Sequence, residues 1–454
     1  MITLRQIFRL YLPFWIFAYC ACFHWAYAYW VTADWWYMGL TYRTPNWMLL
    51  GLAYALPMMM TVVSPRTLTR PSQVMFWFVF LSVYVPGLFV PIFVQLDGSL
   101  TLLLMQLNLT AGMILIAAFY KLPLARLRWS IPLRPGLFWS LFGLLYLALM
   151  AVTLFAYRNN LHFATVKEIY DVRFAGRQVA EKYPGLTYVT AALETGFNPL
   201  LCAYGWNKRK KFAWLLGCAG QVLLYMTSAQ KSVLLSIPLI YVFIVTLRKD
   251  RGAWITSLVL VSASITWLFP FLALMLHDSG VGAVAGVLAG ATVIRSAALP
   301  GMFLATYQYF FEQYPHTYLS HLNVVGLFLH NPYELSLGQE TGIFFYGWSG
   351  PRGVANANAN FFAMDGIGGF GLYGLPLMGA VCGLWFWFLD SCTRKYSIPF
   401  VASGLVMAMI SLTNASLFSA LLGGGFSVWM VIFLFAPESF RNDTYQHERC
   451  YSPR

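Results

Sequence analysis

The sequence predicts an all-helical protein that crosses a membrane many times. Three observations carry this. Of 454 residues, 59% are hydrophobic and 10% are charged, and the mean hydropathy is +0.64, far from a soluble domain. Apolar runs such as Leu102–Tyr120 and Leu137–Tyr157 are long enough to cross a ~30 Å hydrocarbon core as helices. Most Lys and Arg residues gather in short loops beside such runs.

Taken in order, the apolar runs suggest about twelve spans, near 8–32, 48–63, 74–96, 100–120, 136–157, 188–206, 212–228, 232–247, 254–276, 366–389, 399–416 and 418–436. The opening Met1-Ile2-Thr3-Leu4-Arg5 lacks a cleavable signal pattern, so the first run is expected to stay as a helix. Basic loops follow even-numbered spans: Arg66 and Arg70, then Lys121, Arg126, Arg128 and Arg134, then Lys208-Arg209-Lys210-Lys211, then Arg248-Lys249-Asp250-Arg251, then Arg394-Lys395. The positive-inside rule places these loops and both termini in the cytoplasm. The whole chain, 1–454, reads as one integral membrane domain.

The net charge of +13 does not imply nucleic acid, because the basic residues sit beside spans. The cysteines Cys20, Cys22, Cys202, Cys218, Cys382, Cys392 and Cys450 show neither metal-ligand spacing nor a disulfide framework. They read as small apolar packers.

The same parity puts two larger segments outside, about 158–187 and about 277–365. The first holds Lys167, Glu168, Asp171, Arg173, Arg177, Glu181 and Lys182. Cations held on the outer face need a reason, such as an anionic substrate. Thr165 and Glu168 fit a capping box, and the helix it starts puts Tyr170, Arg173 and Arg177 on one face. Two guanidiniums a turn apart suit bidentate binding of phosphate. Asp171 and Glu181 are the alternative, as surface partners for these cations. Lys231, in the short turn Ser228-Ala229-Gln230-Lys231-Ser232, either lines the same anionic pocket or snorkels to lipid headgroups. Glu194 is the acid expected inside a span, paired with an outer arginine or acting directly.

The second segment has Arg295 and Arg352 as its Lys or Arg residues. Its first half, Val281–Tyr318, is apolar and aromatic and reads as helices on the outer leaflet or packed on the bundle. Gly280–Gly290 lacks the context of a phosphate loop and reads as helix packing. The polar concentrations are His330 to Glu334 and the run Glu340–Asp365, which leads into Gly366–Gly374. No histidine spacing suggests zinc, and no metal is expected.

With Tyr170-Asp171-Val172-Arg173, Ser228 to Ser232 and Asp365–Gly374 set among twelve spans and two outer segments, the chain resembles the O-antigen polymerase, or Wzy-type, family. It lacks the paired Arg-rich, glycine-ended repeats described for some members. The resemblance implies a GT-C-like polymerase or ligase fold in the bacterial inner membrane, with its active site facing the periplasm. It implies a transferase that polymerises undecaprenyl-diphosphate-linked repeat units without metal or cofactor. Partners are then the lipid-linked donor and acceptor, membrane lipids and a chain-length regulator protein, with no nucleic acid. Arg173, Arg177, Lys231 and Arg295 would serve the phosphates, supported by Tyr170, Glu194 and Arg352. His330, Glu334 and Asp365 are the base candidates. An O-antigen ligase and a lipid-linked oligosaccharide flippase are the alternatives. A flippase would need a charge-lined central cavity.

Overall fold

The computed structural model describes residues 11–125, 131–164, 168–249, 253–347, 349–350, 353–354 and 356–440. Nearly all secondary structure there is helical. One two-residue ladder, Ser349–Gly350 with Gly353–Val354, is the strand pairing among the described residues. The main helices are α1 (12–34), α2 (Trp47–Met60), α3 (Ser72–Val94), α4 (Ser99–Phe119), α5 (Pro135–Tyr157), α6 (Ile169–Lys182), α7 (186–207), α8 (Lys211–Ser228), α9 (Lys231–Lys249), α10 (Trp254–Met275), α11 (Gly280–Phe311), α12 (Leu337–Tyr346), α13 (Gly374–Thr393), α14 (398–411) and α15 (Leu417–Phe435).

Helices stand at each of the twelve expected positions. Among the described residues, eight helical stretches are long and apolar enough to cross a membrane: α3, α4, α5, α9, α10, α11, Phe362–Thr393 and α15. The chain is therefore built as a polytopic membrane protein. Helix α11 is among the eight, although the sequence placed it in an outer segment.

The bundle is organised around α3, nearly all of which is buried. Apolar residues on every face explain this, since such a helix has no side to offer water. Helix α1 runs beside it in parallel. Tyr19 donates to the Leu81 carbonyl at 2.8 Å, and Tyr27 packs on Phe93 at 5.0 Å. Helices α4 and α13 cross closely because glycines face one another. A methyl on Gly112 would stand 2.8 Å from the Leu375 carbonyl oxygen, and Gly379 lies against the Gly112 backbone. Small residues of this kind let helices meet where lipid gives no hydrophobic drive.

The expected inner loops do share one end of the bundle. Arg70 donates to the Leu122 carbonyl at 2.8 Å, and Trp387 to that of Pro123 at 2.9 Å. Arg248 reaches Asn207 at 2.7 Å, and Ile131 donates to the Leu434 carbonyl at 3.0 Å. At this end the buried Asp390 accepts from the Ser72 N–H at 3.1 Å and its hydroxyl at 2.7 Å. Asp390 lies within α13, so Glu194 is not the only acid inside a helix.

Helix α11 starts and finishes at the opposite end. It leaves a tight turn after α10, with Gly282 against the Leu276 carbonyl. Its second half, Leu299–Phe311, is almost wholly buried beside α3. It finishes where Glu312 meets Asp97 of the α3–α4 loop.

Candidate functional site

The cationic segment forms a small subdomain on the end of α8. Helix α6 is amphipathic, and Gly176 lets it lie on the Thr227 carbonyl, where a side chain would collide. Ala164, Ile169, Tyr225 and Ala229 make a separate apolar cluster beneath it. Thr165 and Lys167, with the expected capping box, lie outside the described residues. Arg173 donates to the Ala229 carbonyl at 3.3 Å. Ala229 takes a left-handed conformation, φ 48°, which ends α8 and lets α9 start at Lys231. The structure thus brings Arg173 and the exposed Lys231 to one short turn. That turn opens a 19-residue helix, whose free N–H groups and dipole add positive potential.

Glu194 stands behind this turn, in the π-helical stretch Leu193–Phe197 of α7. With its amide turned to donate, Gln230 lies 3.2 and 3.3 Å from the Glu194 carboxylate oxygens. The partner of Glu194 is thus an amide of the same turn, in place of the expected arginine. Arg177 is exposed, one helical turn beyond Arg173, and Tyr170 precedes them on α6.

A second polar centre surrounds Asp365, which is fully buried in a π-helical stretch, Phe362–Ile367. One of its oxygens meets His321 Nε2 at 3.1 Å, and the other accepts from the Leu417 N–H at 2.6 Å. His321 Nδ1 lies 3.0 Å from Thr317 Oγ1, which lies 3.1 Å from the Gly368 carbonyl. Both ring nitrogens of His321 and both oxygens of Asp365 are thus engaged within this chain of contacts. Nearby, His316 stacks on Phe311 at 5.4 Å, and its Nδ1 is buried without a partner. Burial lowers its pKa, against the pull of the Ile367 and Gly368 backbone.

The two centres meet through α15. Leu417 at one side touches Asp365. At the other, Gly425 packs on Thr195, and Trp429 donates to the Thr195 carbonyl at 3.0 Å, beside Glu194. A mainly apolar groove of about 440 Å³ runs between α13 and α15 toward the basic-loop end, lined by Trp385, Phe388, Lys395, Leu421, Met430 and Leu434.

No family model, curated protein or solved structure matches this chain.

The remaining expected residues are dispersed. Arg295 is exposed on the π-helical stretch Gly290–Ala298 of α11, which packs on α1, α3 and α10 and not on the cationic subdomain. His330 and Glu334 are exposed on a loop beyond α11, pinned where Tyr333 donates to the Pro315 carbonyl at 2.6 Å. Arg352 lies outside the described residues. Among the described residues no three His, Cys, Asp or Glu side chains gather as metal ligands. His321 was visible in the sequence only as one histidine in a long segment. It lies 44 residues from Asp365, so no local spacing announced the pair.

Proposed function

We propose that this protein is a membrane glycosyltransferase that polymerises undecaprenyl-diphosphate-linked repeat units at the outer face of the bacterial inner membrane. The convergence of Arg173, Lys231 and the α9 N-terminus carries the reading. It is a preformed site for an anion, at the end of the bundle opposite the basic loops. Glycosyl transfer from a lipid diphosphate develops charge on the leaving diphosphate, and preorganised donors aimed there are the largest catalytic contribution. The buried α3 at the bundle axis argues against a carrier, which would keep a polar cavity there.

In this reading an acceptor hydroxyl attacks the donor's anomeric carbon, and the lipid diphosphate leaves toward Arg173 and Lys231. Arg177 extends the clamp. Asp365 has both oxygens engaged, so it orients His321 and does not meet the sugar. The test is elongation of a lipid-linked repeat unit by purified protein. Arg173→Ala should abolish long polymer, and Arg173→Lys should also be impaired, because an ammonium cannot reproduce the guanidinium fork. Full-length product from Arg173→Ala would refute the diphosphate site.

A further inference from the structure

The groove between α13 and α15 runs to the end of the bundle where the basic loops are stitched together. Trp385 and Phe388 of α13, with Lys395 just past its end, make one wall. Ser427, Met430 and Leu434 make the other, three and four residues apart and so on one face of α15. From Trp385 to Lys395 the first wall advances about 15 Å, at ~1.5 Å per residue. That is about one leaflet of a ~30 Å hydrocarbon core. Val431, which also lines the groove, is 56% exposed, so the groove opens to the surroundings of the bundle. For a helix that crosses a membrane, those surroundings are lipid.

The inner mouth gathers cations from both walls. Ile131 and Leu133 donate to the Leu434 and Phe435 carbonyls at 3.0 and 3.1 Å, which sets Arg134 beside the inner end of α15. Arg394 and Lys395 follow α13 directly. Arg134 and Arg394 are exposed. Among the described residues, the acids of these elements are Asp390, turned away to Ser72 of α3, and Glu438, on the turn after α15. Three cations therefore stand at the mouth against Glu438. An apolar wall one leaflet deep that ends in surplus positive charge matches a lipid with an anionic headgroup, since basic pockets between helices on the cytoplasmic side hold such headgroups. The chain's own continuation, which begins Arg441-Asn442-Asp443-Thr444, is too polar for these walls.

We propose that this groove binds an anionic diacyl phospholipid from the leaflet on the basic-loop side. One acyl chain lies between α13 and α15, and the phosphate sits among Arg134, Arg394 and Lys395. Occupied, the site braces the inner half of α15. The same connection reaches Asp365 through the Leu417 N–H and Thr195 through Trp429. The site lies at the end of the bundle opposite the Arg173 turn, and it stands whether or not the protein transfers sugars.

The test places a photoreactive benzophenone residue at Val431 of the full-length protein, in vesicles of equal phosphatidylglycerol and phosphatidylcholine. After irradiation the adducts are identified by mass. The same probe at Leu144 of α5, which is 69% exposed and outside the groove, reports bulk lipid. Each cation near the surface favours an anionic lipid by about 5-fold. The Val431 probe should therefore capture phosphatidylglycerol over phosphatidylcholine by at least about 5-fold, and the Leu144 probe should capture both alike. Arg134→Gln, Arg394→Gln and Lys395→Gln together should bring the Val431 ratio to the Leu144 value, with the variant eluting as the wild type does on size-exclusion chromatography. Equal ratios at the two positions in the wild-type background overturn the site without recourse to the triple variant. A crosslinked dimer, or a crosslink to the residues after Phe440, overturns it in favour of a protein occupant. With undecaprenyl phosphate added in equal amount, its capture in place of phosphatidylglycerol overturns the diacyl lipid.

Discussion

At the scale of single residues, buried polar groups are held by specific partners, as Asp390 is by Ser72 and Asp365 by His321 and Leu417. His321 against Asp365 is the tightest case. Removing one member of a buried pair leaves the other uncompensated, which costs roughly 3–5 kcal/mol. His321→Ala should therefore lower the unfolding midpoint in detergent far more than His330→Ala, whose side chain is exposed. Equal midpoints would show that the buried pair does not hold the structure. Asp97 gives a prediction of a different form. Its pKa is raised from 3.8 to about 7 in the folded protein, so between those values the folded state binds more protons than the unfolded chain. Stability should then fall as pH rises through this interval. In Asp97→Asn this part of the slope should vanish, as thermal unfolding at a series of pH values will show. Neither pair was legible in the sequence, because each joins residues far apart in the chain. Arg173 and Lys231 were legible, since they stand apart from the short loops that gather most of the chain's Lys and Arg residues.

At the scale of elements, packing follows from where glycine and apolar residues fall. The α4–α13 contact rests on Gly112 and Gly379, whose backbones meet. Gly379→Leu should force these helices apart, at a cost of at least about 1–3 kcal/mol. Gly136→Leu, where a side chain would meet open space, is the control. Loss of folded protein on size-exclusion chromatography with the first variant and not the second is the expected result. Most helices were legible as apolar runs. The depth and path of α11 were not. Its composition is that of a span, but composition cannot say which neighbours bury a helix. That depends on α3, whose apolar surface is complete on every side.

For the whole molecule, one axis organises charge. Basic loops are stitched together at one end, and the cationic α6 subdomain with both polar centres occupies the other. Cysteine labelling in intact cells is the direct check, with a membrane-impermeant reagent on a background freed of native cysteines. Glu181→Cys should react from outside, whereas Lys210→Cys should react only after permeabilisation. Labelling of both from the same side would break the charge axis.

The return of α11 to the end from which it started has a consequence for biosynthesis. Insertion machinery that judges a segment by length and apolarity will treat Gly280–Phe311 as a span, yet the native fold requires both of its ends on the same side. Helices α1, α3 and α10 are made earlier on the ribosome, so part of the surface that buries α11 exists when it emerges, whereas Leu337–Tyr346 and Phe362–Ile367 close over its second half later. Variants that loosen α3 should therefore trap it in an inverted topology before those later segments arrive.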